Sequence, residues 1–99
     1  MNKYDIWFKS DTTADNLINI CTTIFREYLI ELRILSDNPN HIILAFNSGN
    51  ITGTLTEGTI HISVITKSSI RLLLREIANR LDSSSNFQEE ETKDWTIIA

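Results

Sequence analysis

The chain has 99 residues, of which 41% are hydrophobic and 22% charged; these are globular proportions, which exclude wholesale disorder and fit one domain over 1–99 rather than two. The formal net charge of −4 offers no basic excess with which to displace counterions from phosphates, so nucleic acid is not an expected partner. The longest uninterrupted apolar run, Ile42 to Phe46, is too short to span a membrane, and the single cysteine, Cys21, forms neither an internal disulfide nor a cysteine zinc site.

From Lys3 to Lys9 the chain alternates, with Tyr4, Ile6 and Phe8 on one side and Asp5, Trp7 and Lys9 on the other. This is the period of a half-buried strand. Trp7 on the polar side either packs under a second layer or is exposed for a partner. Thr12 with Asp15 three residues later resembles a capping box, and Asp11 and Asp15 suit the positive end of a helix. Ala14, Leu17, Ile18, Cys21, Ile24, Phe25 and Tyr28 then fall on one helical face, predicting a helix over about 13–28. Leu29, Leu32 and Leu35 could prolong that helix. The alternation of Ile30, Leu32 and Ile34 with Glu31 and Arg33 favours a strand over 30–36, because the turn signal Ser36-Asp37-Asn38-Pro39-Asn40 follows it.

His41 to Asn47 is apolar on both faces and predicts a central strand. Ile51, Gly53 and Leu55 alternate with Thr52, Thr54 and Thr56; after the turn Glu57-Gly58, Ile60, Ile62 and Val64 alternate with His61, Ser63 and Ile65. Tight turns between these runs predict an antiparallel meander. Ser68-Ser69 offers a cap for a second helix whose apolar face is Ile70, Leu73, Leu74, Ile77, Ala78 and Leu81. Residues 82–93 read as an acidic polar loop, and Trp95-Thr96-Ile97-Ile98 as a last strand. The expected fold is α+β, a two-layer sandwich of order β-α-β-β-β-β-α-β with a largely antiparallel sheet and both helices on one face.

Few residues can carry chemistry. His41 and His61 lack a third ligand that would make a metal site, with Asp37 and Glu57 near them only through turns. Cys21 sits on the apolar face of the first helix, where burial raises a thiol's pKa and removes its nucleophilicity. Glu89, Glu90 and Glu91 could supply paired carboxylates, but a polar loop cannot hold a general acid in place. The expectation is a protein without catalytic activity, cofactor or metal. Residues 1–81 carry eight acids and eight bases, so the whole −4 comes from Asp82, Glu89, Glu90, Glu91 and Asp94 against Lys93. That local acidity fits a basic protein partner, with Trp95 as an aromatic anchor beside the acidic run and Trp7 as a second.

The strand "DIWFKSD", the helix opening "TTADNL", the meander and the run "HISVITKSSIRLLLREIANRLD" together resemble small bacterial immunity proteins of contact-dependent growth inhibition and related polymorphic toxin systems. The resemblance covers residues 4–82 and is one of layout. It implies a cytoplasmic protein that binds and neutralises a cognate toxin domain, in many such systems a basic nuclease, and it carries no functional residue with it. The opening Met1-Asn2-Lys3-Tyr4-Asp5 lacks the basic-then-apolar layout of a signal peptide, which agrees with a cytoplasmic location. Partner-binding candidates are Glu89, Glu90, Glu91, Asp94, Trp95 and Trp7. A small-molecule-sensing regulatory domain and a phage-borne inhibitor of a bacterial defence protein are the competing readings.

Overall fold

Period-two alternation in four segments and period-3.6 alternation in two decide the architecture. In the computed structural model, which describes residues 2–9 and 11–82, the elements are β1 (Asn2–Lys9), α1 (Ala14–Glu27), β2 (Arg33–Asn38), β3 (His41–Phe46), β4 (Gly49–Thr56), β5 (Thr59–Thr66) and α2 (Arg71–Asp82). The five strands form one antiparallel sheet in the order β1-β5-β4-β3-β2. The fold is α+β, as the sequence pattern predicts. The acidic loop over 82–93, beyond Asp82, and the strand over 95–98 lie outside the described residues.

One face of the sheet is largely apolar. Tyr4, Ile6 and Phe8 of β1, Ile60, Ile62 and Val64 of β5, Ile51 and Leu55 of β4, and Ile42, Leu44 and Phe46 of β3 are all buried. Against them lie Leu17, Ile18, Cys21, Ile24 and Phe25 of α1 and Leu73, Leu74, Ile77, Ala78 and Leu81 of α2. Phe25 meets Phe46 edge-on at 5.3 Å, a favoured aromatic geometry. The other sheet face carries Trp7, His61, Ser63, Thr52, Thr54, His41 and Ile43, half-buried or exposed.

Local chemistry departs from the sequence reading in several places. The N-cap of α1 is Thr13, whose side chain accepts from Asn16 N at 3.1 Å; Thr12 instead accepts from the Asn16 side-chain amide. Ser68 and Ser69 do not cap α2, whose first turn closes one residue later with Leu74 N donating to Ile70 O at 3.0 Å. Their hydroxyls tie the chain elsewhere: Ser68 Oγ lies 2.9 Å from Ser48 Oγ, and Ser69 Oγ lies 3.3 Å from the Tyr4 hydroxyl. The strand expected over 30–36 pairs only from Arg33 and continues through Ser36, Asp37 and Asn38, leaving Pro39-Asn40 as the turn. A bulge between Ile34 and Ser36 shifts its register. β3 is interior, but β4 holds the middle of the sheet.

Helix α1 ends in a tight Schellman-type cap. Leu29 N donates to Arg26 O at 2.9 Å and Ile30 N to Phe25 O at 2.8 Å, which satisfies two carbonyls of the last turn. The pivot of that cap is Leu29, with φ 61°, where glycine is the usual residue because a Cβ costs energy there. Tyr28, placed on the apolar face by its spacing, is instead exposed because the helix has already ended. At the β3–β4 turn a Cβ added to Gly49 would lie 2.0 Å from the backbone oxygen of Ile65, so only glycine fits.

Two kinds of substitution test this packing. Leu74→Ala removes a fully buried side chain and should lower stability by about 2–5 kcal/mol, with Gly49→Ala also strongly destabilising. Leu29→Gly should act in the opposite direction and raise stability by about 1 kcal/mol. Chemical denaturation midpoints at neutral pH give all three signs, and an unmoved midpoint for Leu74→Ala would show that the α2 face is misassigned.

Candidate functional site

The antiparallel order brings three connections to one end of the sheet. The β1–α1 loop, the β2–β3 turn and the β4–β5 turn meet there because β1, β2 and β4 all finish at that end. Between them opens a cleft of about 600 Å³ whose lining includes Asp11, Asp15, Asp37 and Glu57. All four carboxylates are exposed, and no base is among the described lining residues. Ala14, Pro39 and Leu55 give the cleft an apolar floor. Asp15 sits in the first turn of α1, where the positive end of the helix offsets part of the mutual repulsion.

On the other sheet face, at the same end, runs a cross-strand row. Trp7 faces His61, His61 faces Thr54, Thr54 faces His41, and His41 faces Asn38. Trp7 stacks flat on His61, with ring centroids 4.5 Å apart and planes 8° from parallel. With its proton on Nε2, His61 donates to Asp5 Oδ1 at 3.1 Å, and Lys3 Nζ lies 3.9 Å from the other oxygen of that carboxylate. The imidazole is thereby held on one side by a carboxylate and on one face by the indole. Trp7 stays 41% exposed. The open face thus presents a large aromatic side chain already fixed in one orientation, the kind of anchor that loses little entropy on binding a partner.

Of the sequence-derived candidates, Trp7 lies on this open face. Glu89, Glu90, Glu91, Asp94 and Trp95 lie outside the described residues. The carboxylates around the cleft are separated by up to 46 residues of chain, from Asp11 to Glu57, and only the meander brings them together. Each does stand beside a turn or loop at the same end of alternating strands, which is the signal that locates them. The Asp5–His61 pair depends on the register of β1 on β5, which alternation alone fixes only to within steps of two residues. Among the described residues no three of His, Cys, Asp and Glu are grouped to hold a metal ion, and no helix is long and apolar enough to cross a membrane.

Cys21 is fully buried, and that burial pushes its thiol pKa from 9.0 up to about 12. The thiolate, which is the reactive form, is therefore suppressed in the folded chain. Between pH 9 and 12 the unfolded chain loses the thiol proton and the folded chain keeps it. Stability should therefore fall as pH rises through that window, by up to about 4 kcal/mol from this group. Cys21→Ala lacks this contribution, so its stability deficit relative to the parent at pH 8 should shrink as pH rises above 9. A deficit that stays constant to pH 11 would place the thiol in contact with solvent.

No family model matches the chain, and no curated protein matches it. Among solved structures the chain is similar to the NMR structure of PA4090 from Pseudomonas aeruginosa, with a TM-score of 0.54 at 10% sequence identity, over 99% of this chain and 94% of that one. At that identity the likeness concerns the α+β fold alone.

Proposed function

We propose that the chain is a non-catalytic protein-binding inhibitor of the immunity type, which neutralises a basic toxin domain in the cytoplasm by covering the surface that the toxin uses. The observation that carries this reading is the ring of Asp11, Asp15, Asp37 and Glu57 around one cleft with no base among its described lining residues. A toxin that acts on nucleic acid must present cations to phosphates. An inhibitor that offers carboxylates on a rigid scaffold competes for those same cations. Trp7, fixed against His61 on the adjoining face, supplies an aromatic anchor beside the acidic rim. Complementary charge of this kind accelerates encounter and selects partners more than it sets final affinity.

The direct test is co-expression with the toxin domain encoded beside the gene for this chain. Growth should be restored by the parent protein, and the two purified proteins should co-elute. With Asp11→Asn, Asp37→Asn and Glu57→Gln combined, association at low salt should slow by roughly tenfold, and its salt dependence should flatten. Trp7→Ala should mainly speed dissociation. Failure to protect growth together with failure to co-elute would remove the immunity reading.

A further inference from the structure

At the opposite end of the sheet from the acidic cleft, α1 gives way to the edge strand β2, and Tyr28, Leu29, Ile34 and Leu35 are exposed together. Leu29 is 95% exposed although its left-handed φ of 61° is costly for any residue with a Cβ. A large apolar side chain is thus held out into solvent by a strained backbone, the kind of local conflict that collects at binding sites. Beside it opens a cavity of about 470 Å³ lined by Thr22, Arg26, Leu29, Ile30, Glu31 and Leu32. Ile30 and Leu32 are partly buried against the core and give the cavity its apolar floor. One small patch therefore carries an apolar knob and, next to it, an apolar hole.

We propose that this patch is a two-fold interface with a second copy of the chain. A knob adjoining a hole on the same surface is self-complementary: rotation by half a turn seats each Leu29 in the cavity of the other protomer. The charges obey the same symmetry. Arg26 and Glu31 both border the cavity, and neither makes an ion pair among the described residues. The two-fold sets Arg26 of each protomer against Glu31 of the other, so two ion pairs form across one axis. Glu27 is already taken by Arg80, at 3.0 Å. Arg26 and Glu31 are of opposite sign, so a second copy matches both at once, whereas a partner of one sign matches only one of them. The dimer leaves the acidic cleft free at the far end and does not depend on the function proposed for that cleft.

Sedimentation equilibrium from about 10 µM to about 1 mM covers the range in which a small interface saturates. The parent chain should pass from monomer to dimer within it. Arg26→Glu alone and Glu31→Arg alone should each raise the dissociation constant at least about tenfold, because each sets like charges together twice. An equimolar mixture of the two variants should recover a heterodimer, since opposite charges then meet at both positions. Leu29→Gly should abolish the dimer while raising the melting temperature of the monomer, a combination that no folding defect produces. A parent chain that stays monomeric throughout, a mixture that fails to associate, or a Leu29→Gly variant that dimerises like the parent would each overturn the proposal.

Discussion

One-sided burial of the sheet is the constraint from which the rest of the structure follows. In β1, β4 and β5 the apolar residues occupy alternate positions, so a shift of one residue in any ladder would send Ile6, Ile51 or Ile62 to solvent and Asp5, Thr52 or Ser63 inward. The penalty of burying those groups without partners holds each register. The apolar face then requires a cover, and α1 and α2 supply it with one apolar stripe each. With both helices committed to that face, the other face and the two ends of the sheet are left to carry contacts with other molecules. The chemistry of the protein is accordingly peripheral: carboxylates at one end, an aromatic row on the open face, and an apolar corner at the other end.

The same constraint disposes of the one intrinsically reactive side chain. Cys21 faces the sheet from the middle of α1, and its burial keeps the thiol protonated. Buried there, it behaves as a small apolar residue. His61 is held differently. It lies on the open face between Asp5 and Trp7, where its evident role is to fix the indole. A side chain ordered before binding has less freedom to lose when a partner arrives.

How much of this is legible in the sequence depends on whether the deciding interaction is local. The strand of Tyr4, Ile6 and Phe8 and the stripes of Leu17 to Phe25 and Leu73 to Leu81 are periodic, and periodicity survives into the structure because burial enforces it. The caps are less legible. Thr12 and Thr13 are both competent caps, and one residue of frame decides between them. Ser68 and Ser69 resemble caps, but their hydroxyls bond to Ser48 and Tyr4, which are distant in sequence. The segment 28–35 is the hardest to read. It contains enough leucine and isoleucine for helix or strand, and neither pattern signals that Leu29 takes a glycine-like conformation. The acidic ring is legible only in part, since each carboxylate stands beside a turn or loop but the sheet order is what brings Asp11, Asp15, Asp37 and Glu57 to one cleft, whereas the acidity of residues 89–94 is plain in composition and lies outside the described residues.

The central claim is that the acidic end of the sheet is where a basic partner docks. Hydrogen–deuterium exchange of the chain, alone and in complex with the toxin domain proposed as its partner, tests it most directly. The account predicts slowed exchange in segments 11–16, 37–40 and 55–58, together with the β1 segment around Trp7. The amides at 28–35 should be unchanged at protein concentrations below dimerisation. A complex that forms while those acidic segments exchange as in the free chain would contradict it.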